Sequence, residues 1–469
     1  MLRRAAPLLA LLVAAVLAPL CNAAPPHYDM TVSVDYAAGS FRGDLRVEYT
    51  NTTGTELGEL FFRLYPNATW IYGDAAIRVT ETRVGGRVVV ATMHVDDTVL
   101  LVPLPEPLEP DAVVTVALAF EGTADDWTGD SAVRSSTYGL LTRSDHALTL
   151  TAFYPILALH TDEGWALDPV FEFGDALMSE AASYEVRLSA PPGIAPVTSG
   201  TLAVEAEEDD ATTYRCVIEG ARDFSVVFVD GYEQREEIVD GVAVRAWFTT
   251  PKQAAADVTL RRASDAVALY SDRIGPLRYR EIDLVEVPLQ VAAGVEFSGL
   301  ILISSGYAER PFAAFFDIIV SHEMAHQWFY AGVGNDISEH PWLDESLATY
   351  LSYVFLDAFA EPGVASEALG QWERAYESAR SNAPHRTIAS PLYAFSQSST
   401  YSGFVYSGGA IFLHAVRDAI GDQSFFAALA SYYAAYLGRI ASPSGLIKAF
   451  ETACACRLTG LLDAYGVHP

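Results

Sequence analysis

From Tyr28 to about Val229, apolar and polar positions alternate in short runs. MTVSVDY (30–36), DLRVEYTN (44–51), RVVVATMHV (87–95) and AVVTVALAFEG (112–122) are examples, separated by Gly, Pro, Asn and Asp. A period of two puts the apolar side chains on one face of a strand. Such runs broken by turn residues predict an all-β, sandwich-like domain. YEVRLSAPPGIAPVTSGTLAV (184–204) continues the pattern, and the charged stretch Gly231–Asp240 marks a boundary. Beyond it the period lengthens. Residues 253–270 are Ala-rich with helical spacing, and IDLVEVPLQ and GLILISS read as strands. Helical patterns then dominate at 313–331, 345–359, 364–380, 408–419, 422–436 and 443–452. Strands followed by helices predict an α+β second domain. The polar segment 381–403 between two helices is long enough to border a site.

The N-terminus fits neither pattern. Arg3 and Arg4 precede an apolar run from Pro7 to Leu20, and small residues follow at Cys21-Asn22-Ala23. This is the layout of a signal peptide cut after Ala23 or Ala24, since the run falls short of the ~20 residues that span a bilayer. The expected organisation is therefore a signal peptide at 1–23, a β domain at 24–232 and a catalytic domain at 233–469. Export to a periplasmic, extracellular or cell-surface location follows, without stable membrane insertion after cleavage.

With 29 basic against 60 acidic residues the net charge is −31, which argues against nucleic acid or an anionic membrane as a partner. Export would leave three cysteines. Cys216, Cys454 and Cys456 are too few for a disulfide framework, so the fold must rest on its core. Cys454 and Cys456 could ligate a metal, pack as small apolar residues or form one bridge. Asn51 and Asn67 stand in glycosylation triplets.

The sharpest chemical signal is SHEMAHQW. His322 and His326 are four apart, so on a helix both imidazoles reach one ion, while Glu323 stands beside them as a candidate base. A third ligand must return from further along the chain. Glu345, in HPWLDESLATY, opens the next apolar helix, and Glu339 and Asp344 compete with it on spacing alone. Such a set leaves an open position for chemistry, which predicts one catalytic Zn²⁺.

At these residues the chain resembles the aminopeptidase N family of gluzincin zinc metallopeptidases, in which HExxH is followed by a Glu after eighteen intervening residues. Here that reads HEMAHQWFYAGVGNDISEHPWLDE. The resemblance implies a thermolysin-like catalytic domain, a small mixed sheet plus helices, behind the β domain. It implies zinc on His322, His326 and Glu345, and Glu323 as general base. GVEFSG (294–299) is similar to the family's exopeptidase motif, which makes Glu296, with Gly294 and Val295, the site for the substrate's free α-amine. VYSGGAIFLHAV places Tyr406 where the family has the tyrosine that stabilises the oxyanion. LYPNA, FYPILALHTDEGW and GDALMSEAASYEV are similar to the family's N-terminal domain.

There are four departures. Gly408 stands where a Lys is usual, and Ser346 where a Gly is usual. Phe153 and Tyr154 stand where many members have a Gln or Glu for the amine. The chain also ends about 60 residues after Tyr406, so the family's C-terminal helical domain is expected to be absent. The implied activity is removal of N-terminal residues from peptides with a free N-terminus. A zinc endopeptidase of the same fold, and a non-catalytic binding or structural protein retaining it, are the alternatives.

Overall fold

The structure is a computed structural model that describes residues 24–129, 137–175 and 177–468, so the signal segment expected at 1–23 lies outside the described residues. The β half is built on an eight-stranded sheet in which His27–Asp35 pairs parallel with Ala182–Ala190 and antiparallel with Ser40–Thr50. Burial alternates residue by residue along Ala182–Ala190, as a half-covered strand requires. Four- and five-stranded sheets pack on it, and their apolar faces form one core with Met30, Leu45, Phe62, Val116, Leu148 and Val186.

The second half is organised on a five-stranded mixed sheet, in the order Tyr232–Val239, Val242–Thr249, Glu281–Val287, Leu300–Ser304 and Gly294–Phe297. Val242–Thr249 and Glu281–Val287 run parallel, which requires a crossover, and the helix Gln253–Arg273 supplies it. Glu281–Val287 and Leu300–Ser304 are buried throughout because both faces of the sheet are covered. Their side chains divide by the strand period. Val285, Val287, Leu300 and Leu302 join the β-domain core, while Ile282, Leu284, Ile301 and Ile303 join the core of the helical lobe. The mixed sheet is thus the wall between two cores.

One buried pair ties the halves together. The Arg222 guanidinium donates to the carbonyls of Tyr330 (2.6 Å), Ser179 (3.0 Å) and Arg439 (2.8 Å). Asp223 accepts from the Ser298 amide (3.1 Å), the Ser298 hydroxyl (3.1 Å) and the Tyr330 hydroxyl (2.8 Å). Burial pushes the Asp223 carboxyl up to about 6 despite these donors.

Several elements differ from the sequence reading. The run 87–95 is not one strand: Arg87–Val88 and Thr92–His94 belong to different sheets, and Val90 between them is 82% exposed. The helix expected over 313–331 ends at Ala325. Its apolar run continues to Ala331 because that turn is buried on all sides, not because it is helical. Cys454 and Cys456 form a disulfide, and Cys216 is a buried free thiol. Neither asparagine triplet is idle. The Asn51 amide donates to Thr55 and Leu108 carbonyls, and that of Asn67 to Asp97.

Candidate active site

His322 and Glu323 lie on the last turn of the helix Ala314–Ala325, and His326 is its C-cap. There the chain leaves the helix: Ala331 N donates to His326 O, and Tyr330 adopts a φ of 139°. Glu345 sits in the first turn of Trp342–Phe359, where the helix N-terminus favours a carboxylate, and Asp344 Oδ1 accepts its backbone N–H at 2.8 Å. Glu339 faces elsewhere and accepts the Tyr393 hydroxyl, so neither competing carboxylate enters the ligand group.

Three ligand atoms converge. His322 Nε2 and His326 Nε2 are 3.1 Å apart, and Glu345 Oε2 lies 3.2 Å from the first and 3.5 Å from the second. A tetrahedral zinc with bonds near 2.0–2.1 Å needs ligand atoms about 3.3–3.4 Å apart, so the spacing fits the ion. Glu345 Oε2 is buried with no hydrogen-bond partner, as an oxygen waiting for a cation would be. Although burial opposes it, the two imidazoles hold the Glu345 carboxyl well below the usual range. His326 Nδ1 lies 3.0 Å from the Phe329 carbonyl; donating there leaves Nε2 free to ligate. The same contact disfavours the other group of metal-capable side chains, Glu296, Glu323 and His326, whose nearest approach through that ring is His326 Nδ1 to Glu296 Oε1 at 3.9 Å.

Glu323 projects beside this set, and its Oε2 also lacks a partner. Burial first, and the facing carboxylate of Glu296 next, push it well above the usual carboxylate range. It packs directly on the backbone of Gly294, where a Cβ would lie 2.5 Å from Glu323 Cγ. Gly294 is therefore required for room. Gly294→Ala is expected to displace the Glu323 carboxylate and lower kcat by about 10²-fold, as ångström-scale misplacement does. Metal analysis beside a turnover assay checks that zinc content stays the same.

Glu296 lies on Gly294–Phe297, the edge strand antiparallel to Leu300–Ser304, and is 8% exposed. The strand's end is pinned from both halves of the chain. The Gln327 amide donates to Phe297 O (3.0 Å) and accepts from Gly299 N (3.0 Å), while Asp223 holds Ser298. Gln327, next to His326, thus couples the ligand helix to the Glu296 strand. Reading the sequence missed this, although the residue stood inside the quoted motif.

Tyr406 sits in a π-helical segment, Gly403–Gly408, inserted between Ser398–Ser402 and Gly409–Ile420. Its hydroxyl donates to Glu345 Oε1, and its ring stacks on His322 at 5.9 Å with an interplanar angle of 13°. Burial and the Glu345 charge raise its pKa well above the phenol value, so it stays a donor. Two departures from the family find a physical reason here. The Ser346 hydroxyl donates to Val405 O at 2.7 Å, holding the carbonyl ahead of Tyr406, and Gly409 leaves the space that hydroxyl occupies. Gly408 packs against the Tyr376 ring, where a Cβ would already be 2.7 Å away and a Lys would not fit.

These residues share a cavity of about 580 Å³, lined by Gly294, Val295, Glu296, His322, Glu323, Glu345 and Tyr406. Ile71, Tyr72, Leu140 and Leu177 of the β half and Phe315, Ile318 and Trp372 of the helical lobe supply apolar walls. Among the described residues no Lys or Arg lines it. Phe153 and Tyr154 are elsewhere: both are fully buried in the β core, and the Tyr154 hydroxyl accepts from Phe224 N. The β half instead contributes Asp175 to the cavity wall, a residue that reading the sequence did not single out within GDALMSEAASYEV.

The chain is similar in sequence and fold to known proteins. Residues 275–465 match the family described as Peptidase family M1 domain. Aminopeptidase M1-A of Oryza sativa subsp. japonica is 24% identical over 450 residues, covering 92% of this chain and 48% of that protein. Aminopeptidase N of Lactococcus lactis subsp. cremoris is 29% identical over 124 residues, 24% of this chain and 14% of that protein. The chain spans about half the length of the plant relatives it matches. The solved M1 zinc metallopeptidase of Deinococcus radiodurans shares the fold at a TM-score of 0.67 and 19% identity, covering 94% of this chain and 93% of that one. Residues 275–465 thus carry a match to the Peptidase family M1 domain, and the chain as a whole has the fold of a two-domain M1 zinc metallopeptidase.

Proposed function

We propose that this chain is a zinc-dependent aminopeptidase that removes N-terminal residues from peptides. The observation that carries the reading is Glu296, a desolvated carboxylate beside the candidate base in a cavity lined, among the described residues, by no Lys or Arg. Such a site suits a positive peptide N-terminus and offers no Lys or Arg among the described residues to a C-terminal carboxylate. The named relatives are aminopeptidases, and the Deinococcus fold neighbour has been solved with a Tyr-Ser-Ala substrate.

His322, His326 and Glu345 hold the ion, which when bound polarises the scissile carbonyl and makes water a nucleophile near neutral pH. Glu323 accepts the attacking water's proton and returns it to the leaving amine, acting as base and then acid. The Tyr406 hydroxyl, at the edge of the ligand set, donates to the oxygen on which negative charge develops. Glu296 fixes the α-ammonium, so the bond presented for cleavage is the first. An aminoacyl reporter with a free amine should turn over, and its N-acetylated counterpart should not. Equal turnover of the two would favour an endopeptidase.

Export is part of the same proposal. The Cys454–Cys456 bridge suits an oxidising compartment, and no helix among the described residues is long and apolar enough to cross a membrane. N-terminal sequencing of the exported protein should begin at Ala24 or Pro25; a retained Met1 would contradict this.

A further inference from the structure

The apolar walls of the cavity do not stop at its mouth. Val291, Ala292 and Ala293, in the loop that leads into the edge strand Gly294–Phe297, line the cavity, and Val291 is exposed. Phe315 also lines it and is exposed in the first turn of the ligand helix Ala314–Ala325. From Phe315 the apolar surface continues outside. Its ring packs on that of Tyr307, with centroids 5.4 Å apart, and Tyr307 is exposed in turn. Phe312 is 81% exposed. Ala313 and Ala314, between the two phenylalanines, are exposed as well, so no charged side chain interrupts that run. The stretch is held to the fold. Ala308 within it is buried, the Arg310 and Ala313 amides donate to the Tyr307 and Arg310 carbonyls, and Lys252 Nζ donates to Ser305 O at 3.1 Å. Aromatic rings held in place and left in water mark a binding surface.

The order of residues along the edge strand gives a bound peptide its direction. Read backwards from Glu296, the strand reaches Gly294, on which Glu323 packs, and the loop then reaches Val291. A peptide with its amine at Glu296 and its first bond before Glu323 therefore sends its leaving portion toward Val291 and Phe315. An extended chain advances about 3.3 Å per residue, so a peptide running beside Glu296 to Val291 comes level with the rim at roughly its fourth to sixth residue. We propose that Val291, Tyr307, Phe312 and Phe315 form a docking rim for an apolar side chain at that distance from the substrate's N-terminus. The inference rests on the aminopeptidase reading and adds a substrate class to it: peptides long enough to leave the cavity, with an apolar residue well beyond the bond that is cut. The contact is remote from the reacting atoms and is the same in ground and transition states. Its effect therefore falls on KM and not on kcat.

The test uses the zinc-loaded full chain and a set of octapeptides that begin with Leu and continue in Ser and Gly, with a single Phe moved from position two to position eight. Release of leucine gives kcat/KM for each peptide, relative to the one without Phe. A gain of about tenfold, carried by KM, is expected with Phe at one or more of positions four to six, the effect of taking one aromatic side chain partly out of water. Phe312→Ser is expected to reduce that gain to less than about twofold, and Phe312→Leu to restore it, because the rim reads apolar surface and not ring shape. Phe312 stands mostly in water, so the fold does not depend on it, and thermal unfolding of each variant checks this. No gain beyond position three, or a gain that survives Phe312→Ser, overturns the proposal. So does a parent protein that sediments as a dimer and becomes monomeric with Phe312→Ser, since a second copy would then be the occupant. N-acetylated versions of the same peptides separate the two readings. If these release acetyl-leucine as readily, it is the aminopeptidase reading that fails. If a free amine is required and the position of Phe makes no difference, only the rim fails.

Discussion

Glu323→Gln is expected to remove turnover while leaving the zinc in place, with kcat falling by about 10²–10⁴-fold, the contribution of a positioned general base. Gln keeps the shape of the side chain, so its contact with Gly294 and the apolar wall survives. It cannot accept the proton that the attacking water must lose. The ligand atoms come from His322, His326 and Glu345, so nothing in the metal's coordination depends on residue 323. Stability should not suffer either, because the exchange removes a buried carboxylate that has an unpartnered oxygen and faces Glu296. Metal analysis, thermal unfolding and turnover of a free aminoacyl reporter separate these effects. Retained activity would strip Glu323 of its role, and lost zinc would mean that it supports the ligand set.

How much of this was legible in the sequence depends on which force placed each residue. His322 and His326 were legible because helix geometry alone puts residues four apart on one face. Glu345 was legible as one of three carboxylates. Only the fold separates it from Glu339, which turns to Tyr393, and from Asp344, which caps the Glu345 amide. Glu296 carries no local signal, since its place in the cavity comes from a sheet edge meeting a helix end. Resemblance to a known motif pointed to it, and its burial beside Glu323 gives the physical reason.

Other features were hidden because tertiary contacts override local pattern. The end of the ligand helix at His326 is masked by apolar residues that stay buried after the chain turns. In the π segment around Tyr406, the Val405 carbonyl accepts from Ser346 of a different helix, a contact that no local pattern announces. Asp175 is one acid among 60 in an irregular stretch, and only the seating of Gly174 on Tyr401 and Leu392 brings it to the cavity. The alternation in 87–95 misled for the opposite reason. Period two marks a strand only where one face is buried, and most of that run is exposed.

Removing the metal is the second change with a large expected effect. Without a cation, Glu345 Oε2 is an orphaned oxygen in a buried pocket, beside two imidazoles that direct their lone pairs at the same point. The stripped protein should therefore be inactive, because none of the remaining residues can make water a nucleophile near neutral pH. It should also unfold at a lower temperature than the loaded protein, since an ion that binds only the folded state stabilises it by mass action. Back-titration of the chelated protein with zinc, read by turnover of a free aminoacyl reporter, tests the central claim most directly. Activity should rise linearly and level off at one equivalent, with His326→Ala failing to respond. Turnover in the metal-free protein, or saturation at two equivalents, would contradict a single ion held by His322, His326 and Glu345.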